Sequence, residues 1–187
     1  MRRLALVTFV LTSCGTSTTS APGDAATDAP EGGATGKASG GAQIVFRDTA
    51  ARSCPNAGES HLAAARTADG RLRMVANGEN GAVVRCAKSA TAFDASVSID
   101  DVGVTLTGTI SGSESTDAQV TVALPSRTYR ATATRCTINV QANTAGELRG
   151  TLDCPSLALE GGAGECSTIG GDPSVGSYFA FGGCAPL

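Results

Sequence analysis

Seven cysteines are the residues of this chain whose type and spacing point to chemistry. No two of them have the Cys-x-x-Cys spacing typical of zinc sites, and the chain has a single histidine, so a metal site is not expected. An even number of cysteines in an exported chain indicates disulfides. Cys14 is set apart near the N-terminus, and the other six predict three disulfides: Cys54, Cys86, Cys136, Cys154, Cys166 and Cys184.

His61 is the only histidine, and histidine is the base that most often activates a catalytic nucleophile. Its neighbours Glu59 and Ser60 have the residue types of a triad. Because residues adjacent in sequence rarely meet as a triad, we expect His61 to be a surface or capping residue. The sequence predicts no catalytic, cofactor-binding or metal-binding residue.

Other polar motifs are explained by turns and strand faces. Asp100-Asp101 fits a turn, and Glu147 and Asp153 fit one hairpin. No Asp-x-Asp-x-Asp-Gly calcium loop is present. The Gly-rich segments 161–164 and 170–171 neither follow a predicted strand nor open a helix, so phosphate binding is unsupported. The net charge of −3 and the lack of a basic run argue against a nucleic-acid partner.

The N-terminus has the layout of a secretory signal, with a basic start at residues 1–3 and an apolar run over residues 4–11. The run ends in Leu11-Thr12-Ser13-Cys14, which resembles the lipobox of bacterial lipoproteins. By that resemblance, a thioether-linked diacylglycerol is added to Cys14 and the signal peptide, residues 1–13, is removed. Two or three acyl chains, such as palmitate, on one residue would anchor the chain stably.

Alternatives to the lipobox are a cleaved secretory signal with an incidental cysteine, or a misassigned start codon. Twin-arginine export through Arg2-Arg3 fits poorly, because the apolar residues that follow do not match that signal. The run is too short for a spanning helix, which needs about 20 apolar residues. By resemblance to Gram-negative sorting, Gly15 after the lipidated cysteine favours the outer membrane.

Residues 14–42 consist of the lipidated Cys14 and a segment of mostly Ser, Thr, Ala, Gly and Pro. Such a segment buries too little apolar surface to offset the cost of ordering, so we expect a disordered tether. Residues 43–187, about 145 residues, have the size of one domain.

The domain has the composition and periodicity of short β-strands, so an all-β, antiparallel β-sandwich of about 8–10 strands is expected. Apolar residues alternate over 93–99, 102–110 and 118–124, which predicts a three-stranded meander. A two-residue turn at Asp100-Asp101 would pair Ile99 with Val102. A four-residue loop would slip the register by two and keep the same face buried.

Several shorter elements are also predicted. The segment 61–66 is ambiguous between a short helix and a strand, and Asp69-Gly70 and Asn77-Gly78 indicate turns. Further strands are expected at 43–47, 71–76, 82–86 and 178–181.

Alternation over residues 136–154 predicts a hairpin in which Ile138 faces Leu152 and Val140 faces Gly150. Cys136 then lies opposite Cys154 at a separation that suits a disulfide. Pairing of nearest neighbours gives Cys166–Cys184, and elimination leaves Cys54–Cys86.

A wider spacing pattern comprises Cys136-Thr137-Ile138-Asn139-Val140, Gly146, Cys154-Pro155, Cys166, and Tyr178-Phe179-Ala180-Phe181 before Cys184. The pattern resembles a group of six-cysteine, β-rich envelope lipoproteins of Gram-negative soil bacteria, for which we know no established activity. The likeness covers residues 80–187. It implies a β-sandwich and a cell-envelope address, and no catalytic residues.

We therefore expect a membrane-anchored envelope lipoprotein that is a non-enzymatic structural or interaction module. Its partners would be the membrane, through the lipid anchor, and an unidentified envelope protein or small ligand; no cofactor is expected. One alternative is a carrier or sensor of a small apolar ligand, which needs a cavity between the sheets. The other is a hydrolytic enzyme, which needs polar groups that converge in a cleft.

Overall fold

A computed structural model describes residues 37–68, 71–131, 135–171 and 175–187. The predicted signal peptide, Cys14 and most of the predicted tether lie outside these residues, as does the predicted turn at Asp69-Gly70. Within the described residues, no helix has the length and apolar character needed to cross a membrane.

The described residues form fifteen strands and one short 3-10 helix, Glu79–Gly81. The strands are β1 Ser39–Asp48, β2 Ser60–Ala63, β3 Ala65–Arg66, β4 Leu72–Arg73, β5 Val75–Ala76, β6 Val83–Lys88, β7 Ala92–Ile99, β8 Val102–Thr109, β9 Glu114–Leu124, β10 Arg127–Arg130, β11 Cys136–Thr144, β12 Glu147–Leu159, β13 Glu165–Thr168, β14 Tyr178–Gly182 and β15 Ala185–Pro186.

The all-β prediction is confirmed, but the strands are more numerous and more connected than expected. Thirteen of them form one hydrogen-bonded sheet in the order β13-β1-β14-β12-β10-β9-β8-β7-β6-β15, with β11, β2 and β5 attached at its side. Strands β3 and β4 pair separately. The large sheet is mixed, because β15 runs parallel to β6 while the other described ladders are antiparallel.

Two long strands pair with different neighbours along their length. Strand β1 pairs with β14 through residues 39–43 and with β13 through residues 46–48. Strand β12 does the same, with β14 through residues 147–151 and with β13 from Cys154 to Ala158. Strands that change partners in this way form the corners between packed sheet layers. Strands β1, β14, β12 and β13 consequently form a closed ring of neighbours.

The core is one continuous cluster of buried side chains. It includes residues of the ring strands β1, β12, β13 and β14 and of strands β6 to β9. Its largest fully buried members are Tyr129, Phe46, Phe179, Phe181, Ile44, Leu106, Ile138, Leu148, Leu152, Leu157, Val75 and Val97. Phe93 is buried as well, so five of the domain's six phenylalanine and tyrosine rings are in the core, where each buries a large apolar area.

The predicted meander is confirmed as β7, β8 and β9. Ile99 pairs with Val102 and Val97 with Val104, which is the register of the two-residue turn. Asp100 has a φ of 51°, a left-handed conformation that aspartate tolerates better than most residues. Strand β9 begins at Glu114, four residues before the alternation over 118–124 that predicted it.

The second predicted hairpin is also confirmed. Ile138 pairs with Leu152 and Val140 with Gly150. Beyond Val140 the register shifts by one residue, and the strands continue to Thr144 and Glu147, so only Ala145-Gly146 joins them. Gly146 has a φ of 75°, which glycine adopts without strain.

The structure also resolves one open alternative and corrects one boundary. The segment 61–66, left open between helix and strand, contains the strands β2 and β3. The first strand begins at Ser39, so the predicted tether boundary at Ala42 lies inside it. Its residues Gly40, Gly41 and Ala42 are buried beneath neighbouring strands, and burial of that kind is not visible in a run of small residues.

The disulfides are Cys136–Cys154, as predicted, and Cys54–Cys166 and Cys86–Cys184 in place of Cys54–Cys86 and Cys166–Cys184. Nearest-neighbour pairing was wrong because it ignored strands that sequence had not revealed. Strand β13 pairs Cys166 with Asp48 and so brings it near Cys54. Strand β15 lies beside β6, which brings Cys184 to Cys86.

The observed disulfides close long loops, with sequence separations of 112 and 98 between the paired cysteines of the two corrected bridges. In the chain-entropy model a loop of about 100 residues stabilises the fold by about 4.7 kcal/mol, against about 3 kcal/mol for a short one. The corrected connectivity therefore restricts the unfolded chain more strongly than the predicted one.

We predict that Gly150→Ala destabilises the domain by about 1–3 kcal/mol, the usual cost of overpacking. A Cβ at this buried position would collide with the backbone carbonyl of Asn139 and lie 3.2 Å from Phe179 Cζ. The matched control is Gly103→Ala, whose Cβ would meet Ser98 Cβ at 3.5 Å and Ala123 Cβ at 3.6 Å, ordinary contact distances. Equilibrium urea unfolding measures both variants, and equal losses would contradict the packing described for Gly150.

Candidate functional site

Polar side chains converge around the loop between β1 and β2, where the only histidine lies. This Asn56 cluster consists of Asn56, Glu59, His61, Arg127 and Tyr129. The first three come from the loop and the start of β2, and the last two from β10. Strand β10, which the sequence did not reveal, is the element that completes the cluster.

The loop is held by its own backbone and by a disulfide. The backbone N–H of Cys54 donates to Asp48 Oδ1 at 2.7 Å, and that of Gly58 donates to the carbonyl of Phe46 at 2.9 Å. Gly58 has a φ of 81°, which allows the chain to reverse there. The Cys54–Cys166 disulfide attaches the loop to β13.

Asn56 is the shared partner of the cluster. Its Oδ1 accepts hydrogen bonds from the Tyr129 hydroxyl, at 2.5 Å, and from the Arg127 guanidinium, at 3.0 Å. Its Nδ2 donates to Glu59 Oε2 at 2.7 Å. Because Tyr129 is fully buried, its hydroxyl needs a protein acceptor, and the Asn56 side chain supplies one.

His61 lies at the edge of the cluster. Its buried Nε2 lies 3.0 Å from Glu59 Oε2, within ion-pair distance. The imidazole also packs edge-on against Phe46, with ring centroids 5.5 Å apart. Phe46 in turn contacts Tyr129, at 4.8 Å between centroids.

The environment of Glu59 lowers the pKa of its carboxyl below the ordinary value. The main cause is the hydrogen bond from Asn56, which stabilises the carboxylate, and the interaction with His61 and the positive charge of Arg127 add to it. Partial burial opposes the shift. The contacts of this loop therefore stabilise the ionised form of Glu59.

The cluster does not assemble a nucleophile with its base. Ser60 and His61 are consecutive in β2, and consecutive strand residues point to opposite faces. The Tyr129 hydroxyl is buried and bonded to Asn56. Within the described part of the chain, the arrangement joins the 54–59 loop to β10, and its polar groups serve that contact.

The six domain cysteines are all paired, and each is buried. Cys14, the predicted lipidation residue, lies outside the described residues. In those residues, no group of three or more histidine, cysteine or acidic side chains is placed to hold a metal ion.

The acidic residues noted in the sequence have structural contacts. Asp100 and Asp101 form the turn between β7 and β8. Asp153 Oδ1 accepts a hydrogen bond from the backbone N–H of Gly170 at 2.7 Å, and Glu147 forms an ion pair with Arg149. These carboxylates therefore orient loops and strands.

A shallow depression of about 290 Å³ lies on the outer face of β6 to β9. Its lining residues are Val83, Arg85, Ser96, Val97, Ser98, Gly103, Val104, Thr105, Thr121 and Ala123. Most of these alternate with the core residues of the same strands, so the depression faces away from the core. It is not the cavity between sheets that an apolar carrier would need.

Sequence reasoning missed Asn56, Arg127 and Tyr129. The signal for Tyr129 was available, because one of only two tyrosines in a chain without tryptophan is a natural core residue that requires a hydrogen-bond acceptor. Nothing in the sequence identified Asn56 as that acceptor, since the two residues are 73 positions apart.

Comparisons with known proteins assign this chain to no family. No protein-family model matches the chain, and neither the curated proteins nor the solved structures include a significant match.

We predict that Asn56→Ala destabilises the domain by about 1–3 kcal/mol, because it leaves the buried Tyr129 hydroxyl without an acceptor. Tyr129→Phe removes the hydroxyl itself and should cost less. In the double variant the two losses should not add, because both remove the same hydrogen bond. Urea unfolding of the three variants forms a double-mutant cycle, and full additivity would rule out a shared bond.

We also predict a pH dependence from Glu59. Its pKa is lowered in the folded state, so its stabilising contribution is present above the ordinary carboxyl value of 4.5 and is lost as pH falls through the lower folded value. Glu59→Gln keeps an acceptor for Asn56 but removes the charge. The stability difference between the wild type and this variant, measured by urea unfolding, should shrink as pH falls below about 4.5. A difference that grows on acidification would contradict the assignment.

Proposed function

We propose that this chain is a lipid-anchored lipoprotein of the bacterial cell envelope whose β domain is a non-enzymatic structural or interaction module. The observation that carries the proposal is the pairing of all six domain cysteines with one another. This pairing leaves Cys14 as the one cysteine without a disulfide partner inside the domain. An unpaired cysteine is what lipidation at Leu11-Thr12-Ser13-Cys14 requires.

The disulfides also support the proposed location in the cell envelope. Three buried disulfides are consistent with a protein that is exported to an oxidising compartment, because thiols in the cytosol are kept reduced. Gly15 after the anchored cysteine favours the outer membrane of a two-membrane cell, as in the Gram-negative sorting pattern that the signal resembles.

A module of structural or binding type fits the polar groups better than an enzyme does. In the Asn56 cluster, the amide of Asn56 and the hydroxyl of Tyr129 are committed to each other and to the loop. The depression on β6 to β9 is lined by valine and alanine side chains as well as by hydroxyl groups and Arg85, and it lies on the outer face, so it does not supply the cavity between sheets that a carrier of an apolar ligand needs. A partner would be another envelope component that contacts the outer surface of the domain.

Mass spectrometry of the mature N-terminus tests the anchor. The full chain, expressed in a bacterium that processes lipoproteins, should begin at Cys14 and carry the mass of a diacylglycerol. Cys14→Ser should abolish the modification and move the protein from the membrane to the soluble fraction. Ser13→Ala keeps a small residue before the cysteine and should leave both unchanged. An unmodified wild-type N-terminus at any other residue would overturn the proposal.

A further inference from the structure

Two Asn-Gly sequences lie close together in the turn between β5 and β6. Asn77-Gly78 follows β5 directly, and Asn80-Gly81 lies in the 3-10 helix that precedes β6. Asparagine is a thermolabile residue, and a following glycine has no Cβ to shield its backbone nitrogen from the asparagine side chain. The two sites are equivalent in sequence, but their surroundings in the structure differ.

Asn77-Gly78 is held by hydrogen bonds at both groups that would have to react. The Asn77 Oδ1 accepts a hydrogen bond from the Val84 backbone N–H at 3.0 Å. The Gly78 backbone N–H donates to the carbonyl of Ala82 at 2.7 Å. Asn77 is also half-buried, and its own backbone N–H donates to the carbonyl of Ala38 at 2.8 Å. Both hydrogen bonds at the reacting groups must break before the Gly78 nitrogen can meet the Asn77 side chain.

Asn80 and Gly81 are both exposed. Within the part of the chain that the structure describes, the Asn80 side chain has no hydrogen-bond partner. Its amide is therefore free to turn and is accessible to water, unlike the amide of Asn77.

The backbone of Asn80 must rotate before the reaction, and the structure leaves room for that rotation. Asn80 has a φ of 49° and a ψ of 35°, and at this ψ the Gly81 nitrogen is turned away from the Asn80 side chain. This left-handed conformation is not the preferred one for an L-residue, so little stability is lost when Asn80 leaves it. Apart from its chain neighbours, no atom lies within 4 Å of the position that a Cβ on Gly81 would occupy.

We propose that Asn80 is a site of spontaneous deamidation in the folded protein and that Asn77 is protected from the same reaction. The Gly81 nitrogen loses its proton and attacks Cγ of Asn80. A bond forms between that nitrogen and Cγ, the bond from Cγ to Nδ2 breaks, and ammonia leaves with the proton. The product is a five-membered succinimide, which water opens at either carbonyl to give aspartate or isoaspartate at position 80.

Either product adds a negative charge to an exposed turn. The adjacent Glu79 accepts hydrogen bonds from the Arg73 guanidinium at 2.6 Å and from the Ala76 backbone N–H at 2.9 Å. Position 80 lies outside the ladder between β6 and β7, which begins at Val83. We therefore expect the domain to stay folded after the reaction.

Peptide mapping of the aged native protein tests the site. The folded, oxidised chain is kept for days in mildly alkaline native buffer and digested with trypsin beside an unaged sample. Residues 74–85 form one tryptic peptide that contains both asparagines, and tandem mass spectrometry locates the converted one. Conversion of Asn80 should be at least about tenfold faster than that of Asn77, because two hydrogen bonds protect Asn77. Equal rates, or faster conversion of Asn77, would overturn the proposal.

The unfolded chain is the matched control. After reduction and transfer to guanidinium chloride at the same pH, both asparagines should react at similar rates, because the hydrogen bonds that protect Asn77 are lost. If Asn80 remained faster by the same factor, the difference would come from local sequence, and the structural proposal would fail.

A single variant provides a second measurement in the folded protein. Asn80→Ser should remove the aspartate and isoaspartate forms of the peptide of residues 74–85 and leave the urea-unfolding midpoint nearly unchanged, since the side chain is exposed and unbonded. Undiminished formation of isoaspartate in this variant would place the reaction at Asn77 and overturn the proposal.

Discussion

The structure depends on the pairing of two long strands, β1 and β12, with the same two neighbours. Each strand bonds to β14 over one part of its length and to β13 over another. Buried backbone N–H and C=O groups must be paired, and this arrangement pairs them without leaving an open edge at the corner. The sheet layers are therefore continuous, and one core serves both.

The three disulfides reinforce this arrangement at different positions in the sheet. Cys136–Cys154 adds a covalent bond to a ladder that local sequence already favours. Cys54–Cys166 joins the loop after β1 to β13, so it secures a contact between distant parts of the chain. Cys86–Cys184 secures the last residues at the opposite end of the strand order. The first two support the centre of the sheet, and the third covers its edge.

The Asn56 cluster follows from the same requirement that buried polar groups be hydrogen-bonded. Packing β10 against the loop after β1 buries Tyr129, and its hydroxyl then requires an acceptor. Asn56 is that acceptor, and it also orients Glu59 toward His61. The only histidine thus lies among polar groups because the loop needs them to pack against β10. That origin explains why residue types associated with catalysis occur here without a nucleophile.

Sequence alone determined the elements whose partners are near in the chain. The alternation over 93–124 and 136–154 predicted the strands, and in each hairpin the turn length and the buried face specify the register. Cys136–Cys154 followed directly, because its cysteines are opposite each other in one hairpin. The lipobox-like Leu11-Thr12-Ser13-Cys14 is likewise a local pattern, and it remains a prediction.

Tertiary structure alone decided the rest. The partners of Cys54 and Cys86, the strands β10, β13 and β15, and the acceptor for Tyr129 all depend on contacts between residues far apart in sequence. Such contacts are specified by how the whole core packs, since a short strand such as β13 has too few residues to show a periodicity of its own. The physical reason is that sequence periodicity records which face of a strand is buried, but not which strand lies beside it.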